Sequence, residues 1–321
     1  MRDDPTTALF PAGPLCILGP TASGKSSVAM AVAQHVGNVE LVSIDSMQVY
    51  REMDIGTAKP TAAEQALVPH HLIDLADPSE KFCVSRFQEA WRGVAADIAG
   101  RGATPLLVGG TGLYLRSVID ALEIPGVYPE LRADLESRAN DLPALYRQLE
   151  EFDPLAASRM DPNNERRLVR ALEVTLGSGR PFSSFGPGME DYPETSFRLL
   201  GLRLDRERMI RRINARYDVQ MERGFLDEVQ SLIDRDHPIG RTARQALGYR
   251  ELLTHIEEGV PLGETLETAR VRTRRFARRQ MKWFERDPRI EWVTLDESGD
   301  VAHDEAIARA ITLVESSEPR P

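Results

Sequence analysis

The sequence predicts an α/β fold: a parallel sheet flanked by helices, into which an all-helical segment is inserted. Three observations predict it. Short apolar runs alternate with amphipathic helical stretches through the first third of the chain and resume near its last third. The segment Gly19-Pro20-Thr21-Ala22-Ser23-Gly24-Lys25-Ser26 fits the spacing G-x-x-x-x-G-K-[ST] between an apolar run and a helix. The stretch from about Pro125 to Glu194 carries helical periodicity and no strand-like run.

The elements follow in order. Pro14 to Leu18 is a short apolar run that reads as the first strand, and Lys25 to Val36 as the helix after it. Leu41 to Asp45 reads as a second strand, Val84 to Ala99 as a helix, Pro105 to Val108 as a third strand and Gly112 to Ile119 as a helix. Pro129 to Ala139, Leu142 to Glu151 and Glu165 to Leu176 are helical, and a Gly/Pro/Ser-rich loop, Gly177 to Pro193, closes the insertion. Phe197 to Leu204 resumes the sheet; long helices, a strand at Ile290 to Leu295 and a last helix complete it. The predicted organisation is a discontinuous core, 14–122 with 196–315, a helical insertion at 123–195, and flexible ends at 1–13 and 316–321.

At 321 residues with 41% hydrophobic content, the chain can bury a sizeable core without staples. Its two cysteines, Cys16 and Cys83, form no metal-ligand spacing and no disulfide framework. No segment approaches the roughly 20 apolar residues of a membrane span, and the polar N-terminus lacks a signal-peptide core, so a cytoplasmic protein with no membrane contact is expected. The net charge of −10 argues against nucleic acid on average. Local clusters argue the other way: Arg206, Arg208, Arg211, Arg212 and Arg216 form one, and the run from Arg270 to Arg289 forms another. Arginine predominates over lysine in both, which suits two-pronged contact with phosphate.

The loop Gly19–Ser26 is a phosphate cradle by composition. Its glycines let successive N–H groups turn inward, the following helix adds partial positive charge, Lys25 supplies a full charge, and the Ser26 hydroxyl can hold Mg²⁺. A Walker-type acid at the end of the third strand is missing; Gly109-Gly110-Thr111-Gly112 stands there instead. The acid follows the second strand, as Asp45, which could serve as a Mg²⁺ ligand, a general base or the cap of the next turn. Asp54 to Pro60 has a loop composition that could serve as a lid or as an ordinary connection, and the pair His70-His71 suggests packing or surface hydrogen bonds.

Further motifs accompany the phosphate loop: Asp45-Ser46-Met47-Gln48-Val49-Tyr50, Met53-Asp54-Ile55-Gly56-Thr57-Ala58-Lys59-Pro60 and Val108-Gly109-Gly110-Thr111-Gly112-Leu113-Tyr114. Then come Arg167-Leu168-Val169-Arg170-Ala171-Leu172-Glu173, Gln245-Ala246-Leu247-Gly248-Tyr249 and Arg278-Arg279-Gln280-Met281-Lys282-Trp283-Phe284. In this combination and order, from about residue 14 to 295, the chain resembles the tRNA dimethylallyltransferases, also called tRNA isopentenyltransferases.

The resemblance implies a P-loop NTPase-like core with an inserted helical tRNA-binding domain. It also implies transfer of a dimethylallyl group from its diphosphate to the N6 amine of the adenosine beside the tRNA anticodon, with pyrophosphate leaving. On that reading Gly19, Thr21, Ala22, Ser23, Gly24, Lys25 and Ser26 hold the diphosphate with Mg²⁺ at Ser26. Arg216, or Arg212 one turn away, contacts the diphosphate, and Asp45 is the general base. Segments matching the family's tRNA contacts place Asp45, Ser46, Met47, Gln48, Thr111, Arg132, Arg166, Arg167, Arg170, Gln245, Gly248, Tyr249 and Arg278 against the anticodon stem-loop. Ser26 replaces a more frequent threonine and keeps the hydroxyl, and the zinc finger of eukaryotic relatives has no counterpart in two unspaced cysteines, which points to a bacterial-type enzyme; a monomer is expected. Three rivals remain: an adenylate isopentenyltransferase that prenylates free AMP or ATP, a P-loop kinase of a small metabolite, and a non-catalytic RNA-binding protein.

Overall fold

The computed structural model describes residues 5–186, 188–295 and 300–316. It divides into two compact units, one formed by Met1–Ile119 with Glu194–Pro321 and the other by Asp120–Pro193.

The larger unit is built on six parallel strands: β1 (Leu15–Leu18), β2 (Val39–Ile44), β3 (His70–His71), β4 (Thr104–Gly109), β5 (Arg198–Leu204) and β6 (Glu291–Leu295), in the order β3-β2-β4-β1-β5-β6. β1 lies at the centre, with Leu15 in register with Leu106 of β4 on one side and Arg198 of β5 on the other. All four β1 residues are buried, because helices cover both faces and leave no position that must be polar. The helix Lys25–Val36 buries Val28, Ala29, Val32 and Ala33, and Val84–Gly100 buries Phe87, Trp91, Ala95 and Ile98; both sets recur at the three- and four-residue steps of one helical face.

Two expected features differ. β3 is a strand of two histidines, held by β2 and by side-chain bonds: His71 Nε2 lies 2.5 Å from Glu40 Oε2, and Arg101 grips the same carboxylate with Nε at 3.0 Å and Nη2 at 2.7 Å. At the N-terminus, where the flexible end was placed, Pro5–Leu9 form a short helix and Phe10 packs against the core. Residues 1–4 and 317–321 of the expected flexible ends lie outside the described residues.

The smaller unit has its own core, in which Leu135, Leu145, Leu149, Leu168 and Leu172 meet from the helices Pro129–Ser137, Leu142–Phe152 and Glu165–Ser178. Glu173 is fully buried there. Its charge is met by the Tyr128 N–H at 2.9 Å, Arg132 at 3.2 Å and Arg170 at 3.0 Å, the pairing that a buried carboxylate requires. Arg132 and Arg170 therefore carry a structural load, whereas Arg166 and Arg167 stand exposed.

Candidate active site

Parallel α/β sheets bind ligands beyond the carboxyl ends of their strands. Here the ends of β1, β2 and β4 and the helix that follows β5 open onto a cavity of about 730 Å³. Its lining carries Lys25 and six arginines, Arg212, Arg216, Arg250, Arg272, Arg275 and Arg279, against one carboxylate, Asp45. A cavity so lined concentrates negative charge.

The Gly19–Ser26 loop forms one wall. Gly24 caps the following helix at φ 93°, and Ala22 also takes a left-handed φ of 63°. A side chain on Gly24 would come within 3.2 Å of Arg212 Nη2, so the missing Cβ is what lets that guanidinium approach the loop. Thr21, Ala22, Gly24, Lys25 and Ser26 reach the cavity; Ser23 is buried behind them, and Gly19 sits so close to Leu202 that a Cβ would lie 2.7 Å from its carbonyl.

Lys25 Nζ donates to the Pro20 carbonyl at 2.7 Å. Burial pulls its pKa down to about 8; Asp45 acts to raise it, and Arg216 and Arg212 lower it further. An amine so placed is charged below that value and loses its proton as pH rises through it. Pyrophosphate binding is accordingly expected to be strongest below about pH 8 and to weaken by up to about tenfold per pH unit above it. Calorimetry across that range checks this, with Lys25→Met as the variant that lacks the step; a profile unchanged by Lys25→Met would remove the lysine from the anion site.

Arg216 and Arg212 come from the helix Arg206–Glu222, whose N-cap Asp205 accepts the Arg208 N–H at 2.8 Å. Arg216 Nη1 donates to Thr21 Oγ1 at 2.9 Å and Nη2 to the Gly56 carbonyl at 3.1 Å. Burial holds its pKa below the usual arginine range, opposed by Tyr217, Asp45 and Tyr249. Arg212 has no hydrogen-bond partner among the described residues. The pair thus differs: Arg216 is fixed by the protein, and Arg212 keeps its donors for a ligand.

Asp45 ends the opposite wall. Its Oδ1 accepts the Met47 N–H at 2.8 Å and the Gln48 N–H at 3.3 Å. Its other oxygen has no hydrogen-bond partner among the described residues. One oxygen caps the turn, and the other is left open toward the cavity. Thr111, from the turn after β4, accepts the Ser46 N–H at 3.2 Å.

The loop Asp54–Pro60, which could by composition have been a lid, is tied down at many points. Glu228 accepts the N–H groups of Asp54 (3.0 Å), Ile55 (2.7 Å) and Gly56 (3.2 Å) and the Tyr249 hydroxyl (2.5 Å). Gln220 Nε2 donates to Ile55 O at 2.7 Å and Gly56 O at 3.0 Å, and Gln48 Nε2 to Thr57 O at 3.2 Å and Ala58 O at 3.1 Å. Lys59 Nζ lies between Asp54 and Asp74 at 2.5 and 2.6 Å. These bonds make the loop a fixed wall.

Of the remaining sequence candidates, Ser46, Met47, Gln48, Thr111, Gln245 and Tyr249 line the cavity. Gly248 stands behind it at φ 87°, where a Cβ would meet the Phe225 ring at 2.8 Å. Arg278 is exposed and does not line the cavity. Arg132, Arg166, Arg167 and Arg170 belong to the helical unit. The arginine-rich helix Leu262–Phe284 separates into two sets. Arg270, Arg272 and Arg274 pair with Asp218, Glu251 and Glu267, whereas Arg275, Arg278, Arg279 and Lys282 have no ion-pair partner among the described residues. Sequence reasoning missed Gln220, Glu228 and Arg250 and gave Gln280 no role. For Gln220 and Gln280 a signal existed: an amide lies on the buried stripe of each helix, with Ile213 and Tyr217 in one and Ala269 and Ala277 in the other.

A family model described as IPP transferase matches residues 48–287, and one described as isopentenyl transferase matches residues 15–72. The tRNA dimethylallyltransferase of Desulforudis audaxviator is 44% identical over 291 residues, covering 88% of this chain and 92% of its own. That of Corynebacterium diphtheriae is 41% identical over 300 residues, covering 93% and 96%. The crystal structure of the tRNA isopentenylpyrophosphate transferase of Bacillus halodurans superposes with a TM-score of 0.69 at 37% identity, over 95% of this chain and 96% of that one. A eukaryotic dimethylallyltransferase, captured acting on tRNA, superposes with a TM-score of 0.77 at 28% identity, over 96% and 81%. No helix among the described residues is long and apolar enough to cross a membrane. With a family model spanning most of its length and relatives above 40% identity, the chain belongs to the IPP transferase family, that of the tRNA dimethylallyltransferases.

Proposed function

We infer that the protein transfers a dimethylallyl group from dimethylallyl diphosphate to tRNA, and that the acceptor is the N6 amine of the adenosine next to the anticodon. The observation that carries this reading is the cavity itself, where a diphosphate-sized cradle faces a single carboxylate, Asp45, across a wall of arginines. No acid stands at the end of β4 to order magnesium and water at a γ-phosphate, which suits a diphosphate that departs.

The chemistry follows from where charge moves. The allylic C–O bond breaks with its electron pair passing to the diphosphate, the amine nitrogen forms the new bond to carbon, and the amine proton passes to Asp45. Lys25, the loop N–H groups and Arg216 stabilise the charge gathering on the leaving group, and Arg212 binds the diphosphate. The donor set also fits a magnesium ion. Ser26 faces the cavity, and the described residues hold no group of three or more His, Cys, Asp or Glu, so the ion would be held by Ser26, the diphosphate oxygens and water. Bound there, it would neutralise charge on the diphosphate.

The base must leave its stack to reach the cavity, the expected solution for chemistry on a stacked nucleotide. Arg275, Arg278, Arg279 and Lys282 on the long helix, and Arg166 and Arg167 on the helical unit, are the groups proposed to meet RNA phosphates, while Arg132 and Arg170, tied to Glu173, hold the helices that present them. Gln48, Gln245 and Tyr249 bound the acceptor side, with Gly248 behind them. The enzyme is proposed to work in the cytoplasm as a monomer.

The test is transfer of label from dimethylallyl diphosphate, with magnesium, to unmodified tRNA, AMP or ATP offered separately. Label confined to the adenosine beside the anticodon is expected. Label in AMP or ATP would instead make it an adenylate isopentenyltransferase, and no transfer at all would return the kinase and RNA-binding readings.

A further inference from the structure

We propose that Gln280 is a positioning residue that sets the spacing between the diphosphate cradle and the turn carrying the acceptor-side residues; the proposal rests on the transferase reading above. Gln280 is buried near the C-terminal end of the cavity-facing helix, and its amide uses both ends. Oε1 accepts the Thr21 N–H at 2.9 Å, and Nε2 donates to the Gly110 carbonyl at 2.8 Å. The donor and acceptor fix the amide's orientation without ambiguity.

Each end leads to the chemistry. Thr21 is the residue whose hydroxyl receives Arg216. Gly110 precedes Thr111, whose N–H donates to Ile44 O at 3.3 Å and whose hydroxyl receives Ser46, the neighbour of Asp45. A short chain of hydrogen bonds and adjacent residues therefore runs from the phosphate cradle through Gln280 to the turn that carries Asp45. Gly110 is pressed against this bridge: a Cβ there would lie 2.4 Å from Gln280 Nε2 and 3.0 Å from Gly19 O. Nucleophilic displacement depends steeply on the separation of the reacting atoms, and a misplacement of about 1 Å can cost roughly 100-fold. A neutral side chain with one acceptor and one donor at fixed separation is what this junction calls for.

The demand gives a specific test. In Gln280→Glu, an ionised carboxylate still accepts from Thr21 but turns an acceptor toward Gly110 O. A protonated carboxyl is isosteric with the amide and supplies both bonds again. The turnover number of Gln280→Glu relative to wild type is expected to be reduced about 10- to 100-fold near pH 8 and to recover severalfold toward about pH 6. Taking the ratio cancels titrations common to both proteins. Gln280→Met, close in size with neither bond, should be reduced about as much at every pH, while pyrophosphate affinity stays within about threefold of wild type in both variants.

A wild-type turnover number in Gln280→Met, a pH-independent ratio in Gln280→Glu, or pyrophosphate affinity falling in step with turnover would each overturn the proposal. If the methionine variant does not fold, the pH dependence of the glutamate variant decides alone. Failure of the transferase reading is distinguishable, because wild-type protein would then bind pyrophosphate and transfer nothing.

Discussion

Replacing Asp45 by asparagine is expected to lower the turnover number by about 10²- to 10⁴-fold while leaving the melting temperature and tRNA affinity close to wild type. The reason lies in the division of labour between its two oxygens. Oδ1 is engaged by the Met47 and Gln48 N–H groups, and an asparagine carbonyl accepts those two bonds equally well. The turn that leads Ser46 and Gln48 into the cavity should therefore survive. What the amide cannot do is take a proton from an attacking amine, and its NH₂ places a donor where an acceptor is needed. The loss should appear in the turnover number and not in the Michaelis constant for tRNA.

Asp45→Ala separates the two roles. It removes the proton acceptor and the cap together, so its turnover should fall at least as far, with an added loss of stability of about 1 kcal/mol from the freed N–H groups. A rate for Asp45→Asn within a few-fold of wild type would leave the carboxylate with the capping role alone and would move the general base elsewhere. Single-turnover kinetics with labelled donor, read beside thermal unfolding, separates these outcomes.

Five of the six strands were legible; four of them are buried on both faces and carry near-continuous apolar runs, as in Leu15–Leu18 and Arg198–Leu204, and the edge strand β6 showed as a short β-prone run. β3 was not: two histidines carry no period, and their place in the sheet comes from Leu41 and Val42, about 30 residues earlier in the chain. The phosphate loop was legible because its function depends on local backbone shape, which spacing records. The polar frame around it depends on partners distant in sequence. Gln280 meets Thr21 across 259 positions and Gln220 meets Ile55 across 165. In the sequence each is one amide on a helix, and nothing local states what it will touch. The basic run from Arg270 onward shows the same limit. Its charge was evident, but which arginines are neutralised by Asp218, Glu251 and Glu267, and which remain available to phosphate, is decided by neighbouring helices.

Arg216→Met is expected to lower kcat/KM for dimethylallyl diphosphate by about 10²- to 10³-fold, carried mainly by the turnover number. Arg216 is held by the protein through Thr21 Oγ1 and Gly56 O, so its charge stands beside the phosphate loop before any ligand arrives and needs no reorganisation as the diphosphate departs. Methionine fills similar volume, and the Gly56 carbonyl keeps its bond from Gln220, so the wall should stand without the guanidinium. Arg216→Lys should rescue little, because one ammonium cannot span Thr21 and Gly56 as the two guanidinium nitrogens do. Arg212, whose donors have no partner among the described residues, is the contrasting case: Arg212→Met should weaken binding of the diphosphate and spare turnover once the donor is saturating. Steady-state kinetics on the three variants reads the difference directly. A turnover number near wild type in Arg216→Met together with a severe loss in Arg212→Met would exchange the two roles, since a pre-oriented charge matters most to the chemical step only if the leaving diphosphate lies against it.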